Sequence, residues 1–326
     1  MARSNGGIVL GIESTAHTLG IGIVNNGKVA ANEKSMLFEY GIHPRKTADH
    51  HANVFSEVLE SAMRKAKVNL KDIDLIAFSQ GPGIGPCLRI SAVAARTLSI
   101  QYGKPVVGVN HCVAHIEISK HFTGFRDPLV LYVSGGNTQV LVKEKSRYRI
   151  LGETLDIGIG NMLDNFARSV GLKNAREVEE MAAKSNSYIP LPYSVKGMDA
   201  SFSGILTQSQ RLSKEKKIED LCHSIQETAY ASLCEISERA LALTGKKEVM
   251  ICGGVAQNKR LQGMLKEMAK EWDCRFGVAP NEFNADNGGM IAYVGYLAKR
   301  KGKAMKTLST NEIVPIPKYR TDEFEI

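Results

Sequence analysis

The strongest constraint on what this chain can fold into is that its predicted elements come round twice. Residues 8–13 and 19–24 read as two strands around a polar turn, and Asn-Asn-Gly at 25–27 turns the chain into a third strand near 29–37. A helix over 47–66 follows, with Phe55, Val58, Leu59, Ala62, Met63 and Ala66 on one face. Residues 73–79 then read as a buried strand, 87–102 as a helix, 106–109 as a strand and 110–122 as a helix. From residue 129 the order starts again. Strands at 129–134, 138–143 and 147–151 precede a mainly helical stretch, then a strand at 248–252, a helix near 258–270, a strand at 275–279 and a helix at 287–301. Both halves spell βββαβαβα. Such a repeat predicts an α/β fold of two similar lobes, 1–122 and 123–301, with a nucleotide cleft between them and 302–326 packing back on the first. The helices of 158–243 are expected as an insertion. They include an amphipathic one carrying Leu221, Ile225, Ala229, Leu233, Ile236, Ala240 and Leu243. A frayed end is expected after Pro317.

Composition narrows the class. With 326 residues, 43% of them hydrophobic, the chain is long enough for two cores. No run approaches the length of a membrane-spanning helix, and the polar lead-in before Gly7 is too short for a signal peptide, so a cytoplasmic protein without membrane contact is expected. None of the six cysteines falls in a C-x-x-C pair, which excludes zinc ribbons and a disulfide framework and leaves buried thiols. The net charge of +8 favours a polyanionic partner, with basic clusters at 143–149, 211–217 and 299–303.

Three turns and one helix carry the candidate chemistry. Ser-Gly-Gly-Asn at 134–137 joins two apolar strands, and its glycines would let backbone N–H groups approach an anion with no Cβ in the way. Tyr132 stands one strand step before it. Gln-Gly-Pro-Gly-Ile-Gly-Pro at 80–86 opens a helix toward a ligand but lacks the Gly-Lys-Ser/Thr of a P-loop. Ile-Cys-Gly-Gly-Val-Ala-Gln-Asn at 251–258 is again strand, turn, helix. With the hairpin it would hold the two ends of a nucleotide. His111 and His115 project from one helical face, a spacing that suits one metal ion and equally a solvated pair. A zincin would need Glu where Cys112 stands. Asp286 offers a carboxylate at the start of the last helix, where it could also act as a cap. Two imidazoles, a carboxylate and the Tyr132 phenol suit iron or zinc better than magnesium or calcium.

At this point the chain resembles a known group. A duplicated βββαβαβα with nucleotide-binding turns is the architecture of the actin, Hsp70 and sugar-kinase (ASKHA) superfamily. Within it, Gly-Ile-Glu-Ser-Thr-Ala-His-Thr at 11–18, Gly-Pro-Gly-Ile-Gly at 81–85, Asn-His-Cys-Val-Ala-His at 110–115 and Tyr-Val-Ser-Gly-Gly at 132–136 are similar to the universal tRNA threonylcarbamoyladenosine transferases. So are Lys-Gly-Met-Asp-Ala-Ser-Phe-Ser-Gly at 196–204 and Asp-Asn-Gly-Gly-Met at 286–290, and the resemblance covers essentially the whole chain. Asn137, where bacterial relatives have His, resembles the archaeal and eukaryotic branch, the catalytic subunit of the KEOPS complex.

The resemblance implies transfer of an L-threonylcarbamoyl group from its adenylate to N6 of the adenosine 3′ of the anticodon, in tRNAs reading codons that begin with A. By motif match it implies one divalent metal, iron(II) or else zinc, on His111, His115, Tyr132 and Asp286. It implies contacts to the adenylate or ATP from Tyr132, Val133, Ser134, Gly135, Gly136, Asp164, Glu179 and Asn258. Glu13 takes the place of the superfamily kinases' Asp and is a candidate catalytic group. Implied partners are tRNA and the KEOPS subunits: a small kinase-like protein, a dimerising small subunit and a further small subunit. The loop at 41–45, with His50 and His51, also matches and is expected to close over substrate. One departure is clear. Where relatives carry Pro-Gly-Gly-Pro after the Gly-Leu matching 171–172, this chain runs Lys-Asn-Ala-Arg-Glu-Val-Glu to residue 179 and is two residues shorter. Two other functions compete: an ATP-binding assembly module of the actin and Hsp70 kind, and a metallopeptidase resting only on the histidine pair.

Overall fold

The computed structural model describes residues 7–37, 43–301 and 309–326. The loop expected at 41–45 and the basic cluster at 299–303 lie partly outside them. The first repeat comprises β1 (Ile8–Glu13), β2 (Thr18–Asn25), β3 (Lys28–Met36), α1 (Pro44–Ala66), β4 (Leu75–Gly81), α2 (Gly85–Tyr102), β5 (Val106–Asn110) and α3 (His111–Thr123). The second opens with β6 (Leu129–Val133), β7 (Thr138–Glu144) and β8 (Arg147–Glu153), then α4 (Ile159–Ser169), α5 (Ala175–Ala182), β9 (Val195–Lys196), β10 (Asp199–Ala200) and α6 (Ser203–Leu212). It continues with α7 (Ile218–Thr244), β11 (Glu248–Cys252), α8 (Lys259–Glu271), β12 (Arg275–Val278), α9 (Asn281–Asn284) and α10 (Gly288–Lys301). The five-stranded sheets run β3-β2-β1-β4-β5 and β12-β11-β6-β7-β8. Read from opposite ends they have one order. In each, the first strand is antiparallel to the second and parallel to the fourth, as a true duplication requires.

Strands β1 and β2 alternate large aliphatic residues with glycine, and the two faces meet different partners. Leu10, Ile12, Leu19, Ile21 and Ile23 pack against Val58, Leu59 and Ala62 of α1 and Ala92 and Ala95 of α2. Burying each large aliphatic chain stabilises by ~1.5–3 kcal/mol. The opposite face is floored by Gly11 and Gly22, paired across the strands. There α10 rests directly on sheet backbone: a Cβ on Gly11 would lie 2.2 Å from the Ala292 nitrogen, and one on Gly22 2.2 Å from the Gly288 carbonyl carbon. This close approach fixes the start of α10, and with it Asp286 just upstream.

The contacts divide the chain into two compact units, one of residues up to 118 with 144–148 and 285–326, the other of 119–143 with 149–284. Because α10 packs on β1, β2 and β4, residues 285–301 go with the first unit and not with the second, as the order of elements had suggested. The second unit's core joins Leu129, Leu131 and Val133 of β6 to Phe166, Ile225, Leu233 and Leu261. Helix α7 stands between the third and fourth strands and packs on α8, as α1 does on α2, so it belongs to the repeat and the insertion ends before it. Nor is the insertion wholly helical, since β9 and β10 form an antiparallel pair.

The end after Pro317 is held, not frayed. Phe324 and Ile326 are buried, and the Ile326 amide donates to the Ser146 carbonyl at 2.8 Å. All six cysteines are free thiols; Cys234 and Cys274 are only half-buried. Among the described residues no helix is long and apolar enough to cross a membrane.

Candidate functional site

In the first unit, β5 ends on Asn110, whose side-chain oxygen accepts from the amides of Cys112 (3.0 Å) and Val113 (3.2 Å) and so caps α3. The helix therefore begins on His111, at the end of the strand. His115 follows one turn later on the same face, the two rings nearly perpendicular with centroids 4.7 Å apart. Across from them comes Asp286. The cap of α10 is Asn287, which accepts from the Met290 amide at 2.9 Å, so the capping role weighed for Asp286 falls to its neighbour. Asp286 instead faces the imidazoles, its Oδ1 3.2 Å from His115 Nε2 and 3.5 Å from His111 Nε2. One donor atom from each of the three residues lies within 4.8 Å of the others. Cys112, standing where a zincin carries its base, is fully buried.

Behind His111 stands Glu13, wholly buried. Its Oε2 lies 3.0 Å from His111 Nδ1, while its Oε1 accepts from the Thr15 amide (2.6 Å) and hydroxyl (2.5 Å). A carboxylate held there takes the Nδ1–H and leaves Nε2 turned toward Asp286, the arrangement in which an outer carboxylate fixes the tautomer of a ligand histidine. Glu13, a candidate catalytic group by sequence, is placed to orient His111. Thr15 was missed, because nothing in sequence links it to His111 across 96 residues, and Asn110 stands in the quoted motif without any sign there that its side chain caps α3.

Charges within the cluster are strongly coupled. Burial disfavours a charged His111, yet the facing carboxylates of Glu13 and Asp286 outweigh it and raise the imidazole to about 9. Burial lowers His115, and the charge on His111 adds to that against its hydrogen bond to Asp286. Burial alone would raise Asp286, but His111 and His115 hold it well below the usual carboxylate range. A histidine raised on folding stabilises the fold fully below its unfolded value near 6.5, and the stabilisation is lost as pH rises through about 9. For metal-free protein the loss is on the order of 3 kcal/mol. Thermal unfolding after chelation should show Tm falling between about pH 7 and 9.5, and His111→Gln should remove most of that slope. A wild-type Tm flat across this window would contradict the assignment.

In the second unit the hairpin turn forms as expected, with Ser134 N donating to the Asn137 carbonyl (2.8 Å) and Asn137 N to Ser134 Oγ (3.1 Å). Its carbonyls receive the start of α4: Gly160 N reaches the Ser134 oxygen (3.1 Å) and Asn161 N the Gly135 oxygen (2.9 Å). Helix α4 thus orients the turn. Gly158 permits this contact, since a Cβ there would sit 2.4 Å from the Gly135 oxygen, whereas one on Gly136 would meet nothing within 4 Å. The loop after β11 lies on the end of β6, with Gly253 at φ 96° and its Cβ position 2.3 Å from the Val133 oxygen. Both turns stand at the C-terminal ends of adjacent parallel strands, where α/β sheets bind ligands.

Three other expected contacts are engaged in this unit. Asp164 Oδ1 accepts from the Ala175 amide (2.7 Å) and pins the start of α5, which Asn174 caps. The segment that departs from the family pattern is thus a capped helix start. Glu179 Oε1 accepts from the Lys259 amide (3.0 Å), and Asn258 caps α8 through Leu261 N (3.0 Å) while donating to Gln226 (2.8 Å). Gln226 was not foreseen. Tyr132 and Val133 close β6, both wholly buried, in this second unit.

Two sheets of one strand order, the second with glycine turns at the C-terminal ends of adjacent parallel strands, give the fold of the actin, Hsp70 and sugar-kinase class. Among solved structures, T. kodakarensis HypF is similar in fold, with a TM-score of 0.63 at 14% identity over 91% of this chain and 48% of that one. Residues 27–293 match the family described as tRNA N6-adenosine threonylcarbamoyltransferase (TsaD), and the chain belongs to that family. The protein of that name from Thermococcus sibiricus is 54% identical over 325 residues, covering 98% of this chain and 99% of its own. A "probable bifunctional tRNA threonylcarbamoyladenosine biosynthesis protein" of Methanocaldococcus jannaschii is 50% identical over 98% of this chain and 60% of its own length.

Proposed function

We propose that the chain transfers the L-threonylcarbamoyl group from threonylcarbamoyl adenylate to N6 of the adenosine 3′ of the anticodon, in tRNAs reading ANN codons. The N6 lone pair attacks the carbamoyl carbonyl, the bond from that carbon to the phosphate oxygen breaks, AMP leaves with the electron pair, and the proton lost from N6 passes to solvent. The observation that carries this reading, beside family membership, is the convergence of His111 Nε2, His115 Nε2 and Asp286 Oδ1 within 4.8 Å. This donor set fits a borderline transition metal, iron(II) first and zinc second. When bound, such an ion supplies Lewis-acid polarisation of the acyl donor.

The chain's own groups do the rest. Glu13 and Thr15 hold the proton of His111 at Nδ1. The turn at 134–136, with Asp164, Glu179 and Asn258, holds the adenylate, and a leaving group held in place needs no protein nucleophile. Partners of the KEOPS kind, including a kinase-like subunit, supply part of the tRNA surface, since +8 is a modest charge for a tRNA enzyme acting alone. The setting is the cytoplasm.

Gly136 offers a test of the adenylate site that spares the fold. Because its Cβ position is open, Gly136→Val should leave stability within about 0.5 kcal/mol of wild type. A non-hydrolysable adenylate analogue should nevertheless bind about tenfold more weakly, because the side chain fills the approach to the turn amides. Unchanged analogue affinity in isothermal titration would move the adenylate elsewhere.

A further inference from the structure

The last described segment of the chain is a strap across the C-terminal ends of β4 and β5, held through its backbone by the buried Gln80 and Asn110 and the half-buried Arg96. Arg96 Nη2 donates to the Ile313 carbonyl (2.7 Å) and Gln80 Nε2 to that of Val314 (3.1 Å). The Ile316 amide returns to the Gln80 carbonyl (2.6 Å), and Gly83 N donates to that of Pro317 (3.1 Å). Asn110 Nδ2 donates to the carbonyls of Tyr319 (3.3 Å) and Arg320 (3.1 Å). The fit is close: a Cβ on Gly81 would lie 1.8 Å from the Ile316 oxygen.

We infer that residues 313–320 are a positioning element for the two-histidine site, acting on His111 from two sides. The first side is Asn110, whose amide nitrogen holds the strap while its oxygen caps α3 at the amides of Cys112 and Val113. Its side chain is wholly buried and has both ends in use. The second runs through Gly83, tied to the strap, to Ile84, whose amide donates to the Thr15 carbonyl at 2.8 Å. Thr15 in turn donates twice to Glu13, which holds His111 Nδ1. Gly83 leaves no slack, its Cβ position being 2.8 Å from Thr15. Both the backbone start and the ring orientation of His111 thus depend on groups the strap anchors. None of the strap's residues belongs to the ligand set.

The inference rests on the metal reading of the site, and the test separates the two. Asn110→Ser keeps a good helix cap but lacks the amide N–H groups that hold the strap. Arg96→Met frees the Ile313 carbonyl without touching α3. Zinc affinity, measured by competition with a chromophoric chelator, should fall about tenfold in Asn110→Ser, the lower end for loss of an outer-shell partner. It should fall in the same direction in Arg96→Met. By reciprocity, zinc should slow amide hydrogen exchange at Ile316 and Tyr319 in the wild-type chain. Wild-type zinc affinity in both variants, with strap exchange accelerated, would overturn the inference. So would a loss confined to Asn110→Ser, which would assign the effect to the cap alone. If the wild-type chain binds no zinc, the metal reading fails, and the nitrogen chemical shifts of the His111 ring decide the strap: a change in both Asn110→Ser and Arg96→Met upholds it, and wild-type shifts in Arg96→Met overturn it.

Discussion

Asp286→Ala is expected to lower single-turnover transfer from threonylcarbamoyl adenylate to cognate tRNA by about 10³-fold, ~4 kcal/mol in the barrier. Asp286 is the anion on which both Nε2 atoms converge, at 3.2 and 3.5 Å. Without it the Glu13 carboxylate behind His111 is the counter-charge left to the imidazole pair, and the proposed ion loses the carboxylate of its three-residue donor set. The fold should survive, because the cap of α10 is Asn287 and not the substituted residue. Rate and metal content by elemental analysis are read on the same preparation. A variant that keeps the wild-type rate would remove Asp286 from the chemistry.

The largest effect on stability is expected from Gly22→Ala. The added Cβ would lie 2.2 Å from both the Gly288 carbonyl carbon and the Gly289 nitrogen, which are main chain and cannot turn aside. Separating β2 from α10 costs about 3 kcal/mol or more. Equilibrium urea unfolding should show the midpoint falling with little change in slope. Because α10 carries Asp286 at its start, the variant should also bind metal more weakly than its residual stability explains. A change within about 0.5 kcal/mol would mean that α10 does not rest on the glycine floor.

These two positions also show what sequence could and could not reveal. The duplication was legible because each strand and helix announces itself by a local period. The alternation of glycine with Leu and Ile in β1 and β2 was equally visible. Its meaning was not, since a glycine stripe says that some backbone comes close without saying whose. Element order assigned α10 to the second repeat, whereas packing puts it on the sheet of the first. His111 and His115 could be paired from spacing on one helix. The hydrogen bond of Glu13 to His111 spans 98 residues and has no local signature. Likewise the strap, with its prolines at 315 and 317 and no apolar period, is expected from sequence to pack back on the first lobe and to fray after Pro317, with nothing to say what grips it. What holds it is a set of backbone carbonyls captured by Gln80, Arg96 and Asn110, side chains that carry no mark of that task in sequence.

The most direct measurement gives the wild-type chain, together with the proposed partner subunits, threonylcarbamoyl adenylate labelled in the threonyl carbons and two tRNAs. One is an unmodified ANN-decoding tRNA, the other the same molecule with guanosine in place of the adenosine 3′ of the anticodon. Label should appear on the first tRNA and not on the second, with AMP released in step. Label on neither, or equally on both, would contradict N6-threonylcarbamoyl transfer at that adenosine.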